Sequence, residues 1–269
     1  WIANPYALFA KHILGLEALP RLGAEPGAAL RGAILHETLG RFAASHPTNL
    51  PADPAAALMD IAREILTEYT GNPRVAAFWV PRLERFALWF AETEPARREG
   101  VLRVLAEVSG SHVLSGPAGP FTLTARADRI DVFGSELVIT DYKTGSQSQI
   151  RKLASRARDG LAPQLPLEAV IALNGGFADV ETAPIAGLRY ISASGGEPAG
   201  AEASIDGDLT AMANEARAGL ERLVTAFDSP STPYRAVRRP AYDYRYDDYK
   251  HLARVSEWLG AEVDGGGDD

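Results

Sequence analysis

The sequence contains no cysteine. That excludes disulfides, thiolate-held metals and cysteine nucleophiles, and it fits a reducing compartment. Several nucleotide and hydrolase signatures are also missing. There is no GxGxxG behind a strand, no GxxxxGK[ST], no HExxH and no GxSxG, so nothing supports a dinucleotide fold, a phosphate loop, an HExxH zinc site or a serine nucleophile elbow. The five histidines, His12, His36, His46, His112 and His251, are scattered and do not argue for zinc by clustering. No apolar run reaches membrane-spanning length, no signal peptide is visible, and no repeat or heptad stretch is evident. Basic residues are not in excess: 27 Lys and Arg stand against 35 Asp and Glu, a net charge of -8. A local basic patch can still bind nucleic acid in an acidic chain.

What is present is enough apolar material for a substantial core. The chain has 269 residues and is 46% hydrophobic, which suits one large domain or two small ones. Helical patterns dominate both ends and β-like patterns the middle. The first residue is Trp1 rather than Met, so the expectation is a piece excised or processed from something longer. Gly265 to Asp269 are glycine and aspartate only, and residues 261–269 are expected to be a disordered tail.

The middle holds the most informative stretch, Thr124 to Gly145 (TARADRIDVFGSELVITDYKTG). Asp128 and Asp131 are set among Ala127, Ile130, Val132 and Phe133. Gly134 and Ser135 make a turn, and Leu137 to Thr140 is a short β-prone run that delivers Asp141, Tyr142 and Lys143. This predicts a hairpin whose far end brings an acid of the first strand close to an acid and a lysine of the second. Two carboxylates with nearby carbonyls form a hard oxygen site suited to Mg²⁺ or Mn²⁺. Lys143 falls on the same strand face as Asp141, because the side-chain period is two. There it could orient a water or stabilise charge on a phosphate. A hairpin with solvated charges at its rim satisfies the same spacing.

Around this stretch the patterns predict helices. Asn4 and Pro5 open a short one as N-cap and first residue. Leu30 to Ala44 carries a stripe of Ile34, Leu35, Thr38, Leu39 and Phe42, with His36 one residue off it; Gly32 and Gly40 there permit close packing. Further helices are expected over Ala55 to Tyr69 and Val75 to Glu94, the latter aromatic-rich and read as core rather than as a base-stacking platform. Val101 to Val108 reads as a strand with Glu107 near its end, and His112 to Pro120 as a turn region. Ser146 to Arg158 is polar and basic and reads equally as a phosphate-contacting stretch or a solvated linker. Leu161 to Leu173 reads as a helix with Gln164 and Glu168 on one face, Ile185 to Ile191 as a strand, and Asp208 to Phe227 as a long helix. Residues 238–259 are tyrosine-rich with mixed charge. Together these give an α/β guess: a small mixed or mainly antiparallel sheet flanked by helices.

These residues resemble the RecB-like branch of the PD-(D/E)XK nuclease superfamily. Gly32 to His36 (GAILH) matches its G-x-x-x-H motif, Asp128 in ADRIDVF its strand aspartate, and Asp141-Tyr142-Lys143 its D-Y-K. Gln164 to Glu168 (QLPLE) matches Q-x-x-x-Y except that Glu168 replaces the tyrosine. The resemblance implies a restriction-endonuclease-like core over about 100–192, with helical additions: an insertion over about 50–95 and a helical, tyrosine-rich closure over 207–260, all within one nuclease domain spanning 1–260. It also implies a metal held by His36, Asp128, Asp141 and the carbonyl region of Tyr142. Asp128 and Asp141 would act in catalysis, with Lys143 positioning the attacking water and Gln164 lining the site. Asp131 is the rival of Asp128; three residues apart on a strand they face opposite sides, and the separation from Asp141 favours Asp128. Glu168 stays open between a spectator, a surface charge and a partner of Lys143 through an intervening group.

The ends look like the nuclease domain of AddB-type helicase–nuclease subunits, where a Cys-Pro-Tyr run and a C-x-x-C-x-x-x-x-x-C-R pattern hold an iron–sulfur cluster. Here Asn4, Tyr244, Asp247 and Ala253 stand in that register, so no such cluster can form. Packing and hydrogen bonds from Tyr242, Tyr244, Tyr246 and Tyr249 are expected to tie the ends instead. The implied setting is a DNA-cutting domain with DNA and an AddA-type subunit as partners, in the bacterial cytoplasm near the nucleoid, attached to the remainder of a longer polypeptide and to no membrane. An inactive scaffold and a standalone CRISPR- or phage-type nuclease are the alternatives.

Overall fold

The computed structural model describes residues 1–17, 19, 28–69, 73–236, 247–254 and 257. They fall into two compact units, one of residues 25–115 and 119–221, the other of 1–24, 116–118 and 222–269.

The larger unit is built on a five-stranded sheet in the order β1-β2-β3-β4-β5. The strands are β1 (Arg103–Gly116), β2 (Gly119–Val132), β3 (Leu137–Lys143), β4 (Ile185–Ser192) and β5 (Ala201–Ser204). β2 and β3 are antiparallel with Arg129 opposite Thr140; β3 and β4 are parallel with Asp141 opposite Tyr190; β4 and β5 are antiparallel. A parallel pair needs a long crossover. Here it is supplied by α5 (Gln147–Arg158) and α6 (Gln164–Leu173).

Alternation along β3 explains the two-sided core. Leu137 and Ile139 are buried with Leu165, Ala169 and Ile150 of the crossover helices. Tyr142 points the other way, into a cluster with Leu35, Leu39, Phe42, Phe86 and Phe90. Those residues come from α2 (Ala28–Ser45) and α4 (Pro73–Arg97), and α3 (Pro54–Tyr69) contributes Leu58, Met59 and Ala62. Among the described side chains of α4, Phe86 and Phe90 are core and Trp79 and Trp89 pack against it, with Phe42 and Phe90 meeting edge-on at 5.3 Å.

A charged network is buried within this unit. Glu94, fully buried, accepts from Arg97 (3.0 Å), Arg98 (2.8 Å) and Arg129 (2.7 Å). Arg129 also donates to Asp131 at 2.6 Å, and Asp131 accepts from Arg189 at 2.6 Å. The charges survive burial because each carboxylate meets several guanidinium donors.

Three local expectations are corrected. The turn expected over residues 112–120 is confined to 117–118: β1 continues to Gly116 and β2 begins at Gly119. The glycine and serine content of that stretch hid the last part of β1, where between 112 and 116 only Leu114 is buried. Residues 146–158 are not a linker. Ile150, Ala154 and Ala157 give α5 a buried stripe, and Ser146 and Gln149 form a capping box at its start. β5 was not anticipated, because its buried residues are alanines, poor markers of a strand.

In the smaller unit Asn4 caps α1 (Pro5–Leu8), its Oδ1 accepting from Ala7 N at 3.1 Å, and the chain continues into a π-helical turn, Phe9–Ile13. Asn4 Nδ2 donates to Asp247 at 2.9 Å, and the Tyr249 hydroxyl donates to the Leu16 carbonyl at 2.7 Å. Trp1 stacks on Phe227 with ring centroids 5.3 Å apart. The segment before residue 17 is therefore tied to the segment after 226 by polar and ring contacts. Tyr242, Tyr244 and Tyr246, and the tail 261–269, lie outside the described residues. Among the described residues no helix is long and apolar enough to cross a membrane.

Candidate metal centre

The site is assembled where α2 lies against β1, β2 and the end of β3. On α2, Leu35, Leu39 and Phe42 are buried and fix the helix rotation, which leaves His36 at the margin of the buried face. Its Nδ1 lies 3.0 Å from Asp128 Oδ1. The other oxygen of Asp128 accepts from the backbone N–H of Tyr142 at 2.8 Å, so the hairpin itself orients this carboxylate. Glu107 of β1 completes the group: single ligand atoms of His36, Glu107 and Asp128 lie within 4.8 Å of one another. Glu107 has φ of 54°, a left-handed conformation that is rare for a non-glycine residue and characteristic of functional sites. Its side chain lies against Gly40, where an added Cβ would come within 2.9 Å of Glu107 Cγ.

Asp141 sits beside this cluster and is engaged differently. Lys143 Nζ is 2.7 Å from its Oδ2, and Gln164 Nε2 donates to its Oδ1 at 2.5 Å. Gln164 also donates to Glu168 at 3.2 Å and accepts from Lys143 at 3.1 Å. With its amide nitrogen facing two carboxyl groups, Gln164 can offer only its oxygen to the lysine. Of the three roles open to Glu168, the contacts fit a partner of Lys143 at one remove and not a surface charge: it is buried and meets the lysine through Gln164.

Carboxyl groups crowd this corner. Burial and the Asp128 charge push the Asp141 carboxyl up, against the pull of Lys143. Burial pushes Glu107 up, opposed by Arg126, which is 2.8 Å away. Glu168 is pushed up to about 8, by burial first and by Asp141 second. The hydrogen bond to Asp128 raises His36, and burial opposes it. Negative charge here is under-compensated, and a divalent cation would relieve it. One imidazole and several carboxylate oxygens suit Mg²⁺ or Mn²⁺ and lack the sulfur that softer metals favour.

A family model for the PD-(D/E)XK nuclease superfamily matches residues 2–243. The chain belongs to this superfamily. The mixed sheet flanked by helices is its restriction-endonuclease-like core, the fold class expected from the sequence. The chain is also similar to uncharacterized proteins of two rickettsias. It is 27% identical over 198 residues to one of Rickettsia typhi, covering 70% of this chain and 22% of the relative. It is 29% identical over 181 residues to one of Rickettsia conorii, covering 65% and 21%. The chain thus spans about a fifth of the length of these curated relatives.

Within this superfamily fold the residues singled out from the sequence lie as follows. His36 and Asp128 are together in the cluster, and Asp141, Lys143 and Gln164 are joined beside it. Tyr142 contributes its N–H to Asp128, while its ring is buried on the opposite face with its hydroxyl 3.3 Å from Arg129 Nη1. Asp131 is turned into the buried network. Glu107 was not singled out as a ligand. An acid near the end of the first strand was the only sign of it, and nothing in the local sequence marks its left-handed backbone.

Proposed function

We propose that this domain hydrolyses phosphodiester bonds of DNA with Mg²⁺ or Mn²⁺. The observation that carries the reading is the cluster of His36, Glu107 and Asp128 next to the Asp141–Lys143 pair. His36, Glu107, Asp128 and Asp141 would hold the cation. When bound, such an ion lowers the pKa of water and neutralises phosphoryl charge. Lys143, held by Asp141 and Gln164, would orient the attacking water and stabilise charge on the phosphate oxygens. Gln164 fixes the lysine head group, and Glu168 fixes Gln164.

The wider setting we infer is a helicase–nuclease complex of double-strand-break repair in the bacterial cytoplasm, with an AddA-type partner subunit. Its support is the AddB-like arrangement of both ends, with Asn4 and Asp247 hydrogen-bonded in positions that are cysteines there.

The test is cleavage of labelled single-stranded and duplex DNA at low salt, with Mg²⁺, with Mn²⁺ and with EDTA, beside Lys143→Ala. Cation-dependent cutting that disappears in the variant supports the reading. A protein that neither cuts DNA nor binds either cation by calorimetry overturns it and turns the argument to an inactive scaffold.

A further inference from the structure

Beside the proposed centre lies a small recess with two guanidiniums on it. Arg31, on α2 five residues before His36, donates from Nη2 to the carbonyl of Thr144 at 2.7 Å. Thr144 directly follows Lys143. The Nε of Arg31 is buried and has no hydrogen-bond partner. Arg82 of α4 lines the same recess, with Ser194 and the apolar side chains of Ile34 and Leu83. Among the described residues neither arginine is paired with a carboxylate, and no acidic residue lines the recess. Arg82 is close enough that its charge, after burial, holds the Arg31 guanidinium below its ordinary value. Two like charges are thus held together with one N–H unsatisfied, an arrangement that favours an anion between them.

The walls are fixed. The loop after β4 is clamped to α4, with Arg85 Nε donating to the Gly195 carbonyl at 2.7 Å. Gly195 is left-handed, and a Cβ there would lie 2.2 Å from the Arg82 carbonyl oxygen. Free space in the recess is about 20 Å³. That is room for an oxygen or two of an oxyanion, not for a nucleobase.

We propose that Arg31 and Arg82 form a phosphate subsite that grips the nucleic-acid backbone one step from the bond being cut. The subsite rests on the nuclease reading and adds to it a second anchoring point, on the α2–α4 side of the β3 end. Guanidiniums suit this role, since their planar donors match phosphate oxygens.

The test is binding of a fluorescein-labelled single-stranded DNA oligonucleotide, by anisotropy across a KCl series with Ca²⁺ in place of Mg²⁺, and cleavage of the same oligonucleotide with Mg²⁺. Wild type, Arg82→Gln, Arg82→Glu and Lys143→Ala are compared, with circular dichroism melting as a check on folding. Arg82 is exposed, so its variants should melt like wild type. Losing one phosphate contact should weaken binding by roughly tenfold at low salt and reduce the salt slope by about 0.7. Arg82→Glu should weaken binding further, and the KM for the oligonucleotide should rise in both Arg82 variants. Lys143→Ala should still bind the oligonucleotide and not cut it. Wild-type affinity and slope in both Arg82 variants, with wild type cutting normally, would overturn the subsite and leave the nuclease reading standing. Neither binding nor cutting by wild type would overturn both.

Discussion

His36 Nδ1 and Asp128 Oδ1 lie 3.0 Å apart, so without a cation the imidazole and the carboxylate hold a proton between them. Asp128 raises the His36 pKa above its ordinary 6.5. The pair's contribution to stability is therefore full below about pH 6.5 and is lost as pH rises through the folded-state value. Metal ligation runs the opposite way, because a ligating imidazole must be neutral. Calorimetric titration with Mn²⁺ should give affinity that climbs between about pH 6 and pH 8, and His36→Gln should bind more weakly with a shallower climb. Equal affinity in the variant would remove His36 from the ligand set.

Glu168 offers a second pH signature. Its folded-state carboxyl titrates near 8, mainly because it is buried, against 4.5 for the free group. The folded state therefore holds the proton more tightly, and stability falls as pH rises from about 4.5 to about 8. Glu168→Gln keeps an acceptor for Gln164 and removes the titration. In EDTA, its unfolding free energy should fall less steeply than that of wild type over that range and should be the higher at the alkaline end by on the order of a few kcal/mol. Parallel pH profiles for the two proteins would contradict this.

Gly40 and Glu107 couple helix packing to ligand placement. A methyl at position 40 would force Glu107 Cγ aside from 2.9 Å, while alanine is favoured over glycine in a helix by about 1 kcal/mol. Gly40→Ala should therefore lower Mn²⁺ affinity by on the order of tenfold, with the helix gain offset by the displaced Glu107 in thermal melting. An unchanged affinity would mean that Glu107 does not contact the ion.

The Glu94 network should be the costliest to break. Glu94→Gln leaves Arg129 and Arg98, both buried, short of counter-charge. Urea unfolding should register a loss of about 3–5 kcal/mol with little change in slope.

The hairpin, and the approach of an acid of its first strand to Asp141 and Lys143, were legible because strand alternation and a two-residue turn leave few arrangements open, and the helices because their apolar residues recur at helical spacing; the choice of Asp128 over Asp131 came from the family's pattern. The positions of His36 and Gln164 came from the family's motifs, since a lone histidine beside a helical stripe carries no such message. Glu107 was illegible because its reach depends on a left-handed residue inside a strand and on a glycine 67 positions earlier, at 40. The burial of Glu168 was illegible too: a carboxylate in that place reads as surface until α6 is seen lying on β3.

The parallel seating of β3 on β4 defers assembly of the site during synthesis. Asp141 and Lys143 are made before the crossover helices and before β4, whose residues 185–192 complete their strand pairing, and Gln164 arrives with α6. A chain interrupted anywhere before residue 192 leaves β3 without its central neighbour. A product cut short before residue 192 therefore has Asp141 and Lys143 on a strand that is paired on one side only.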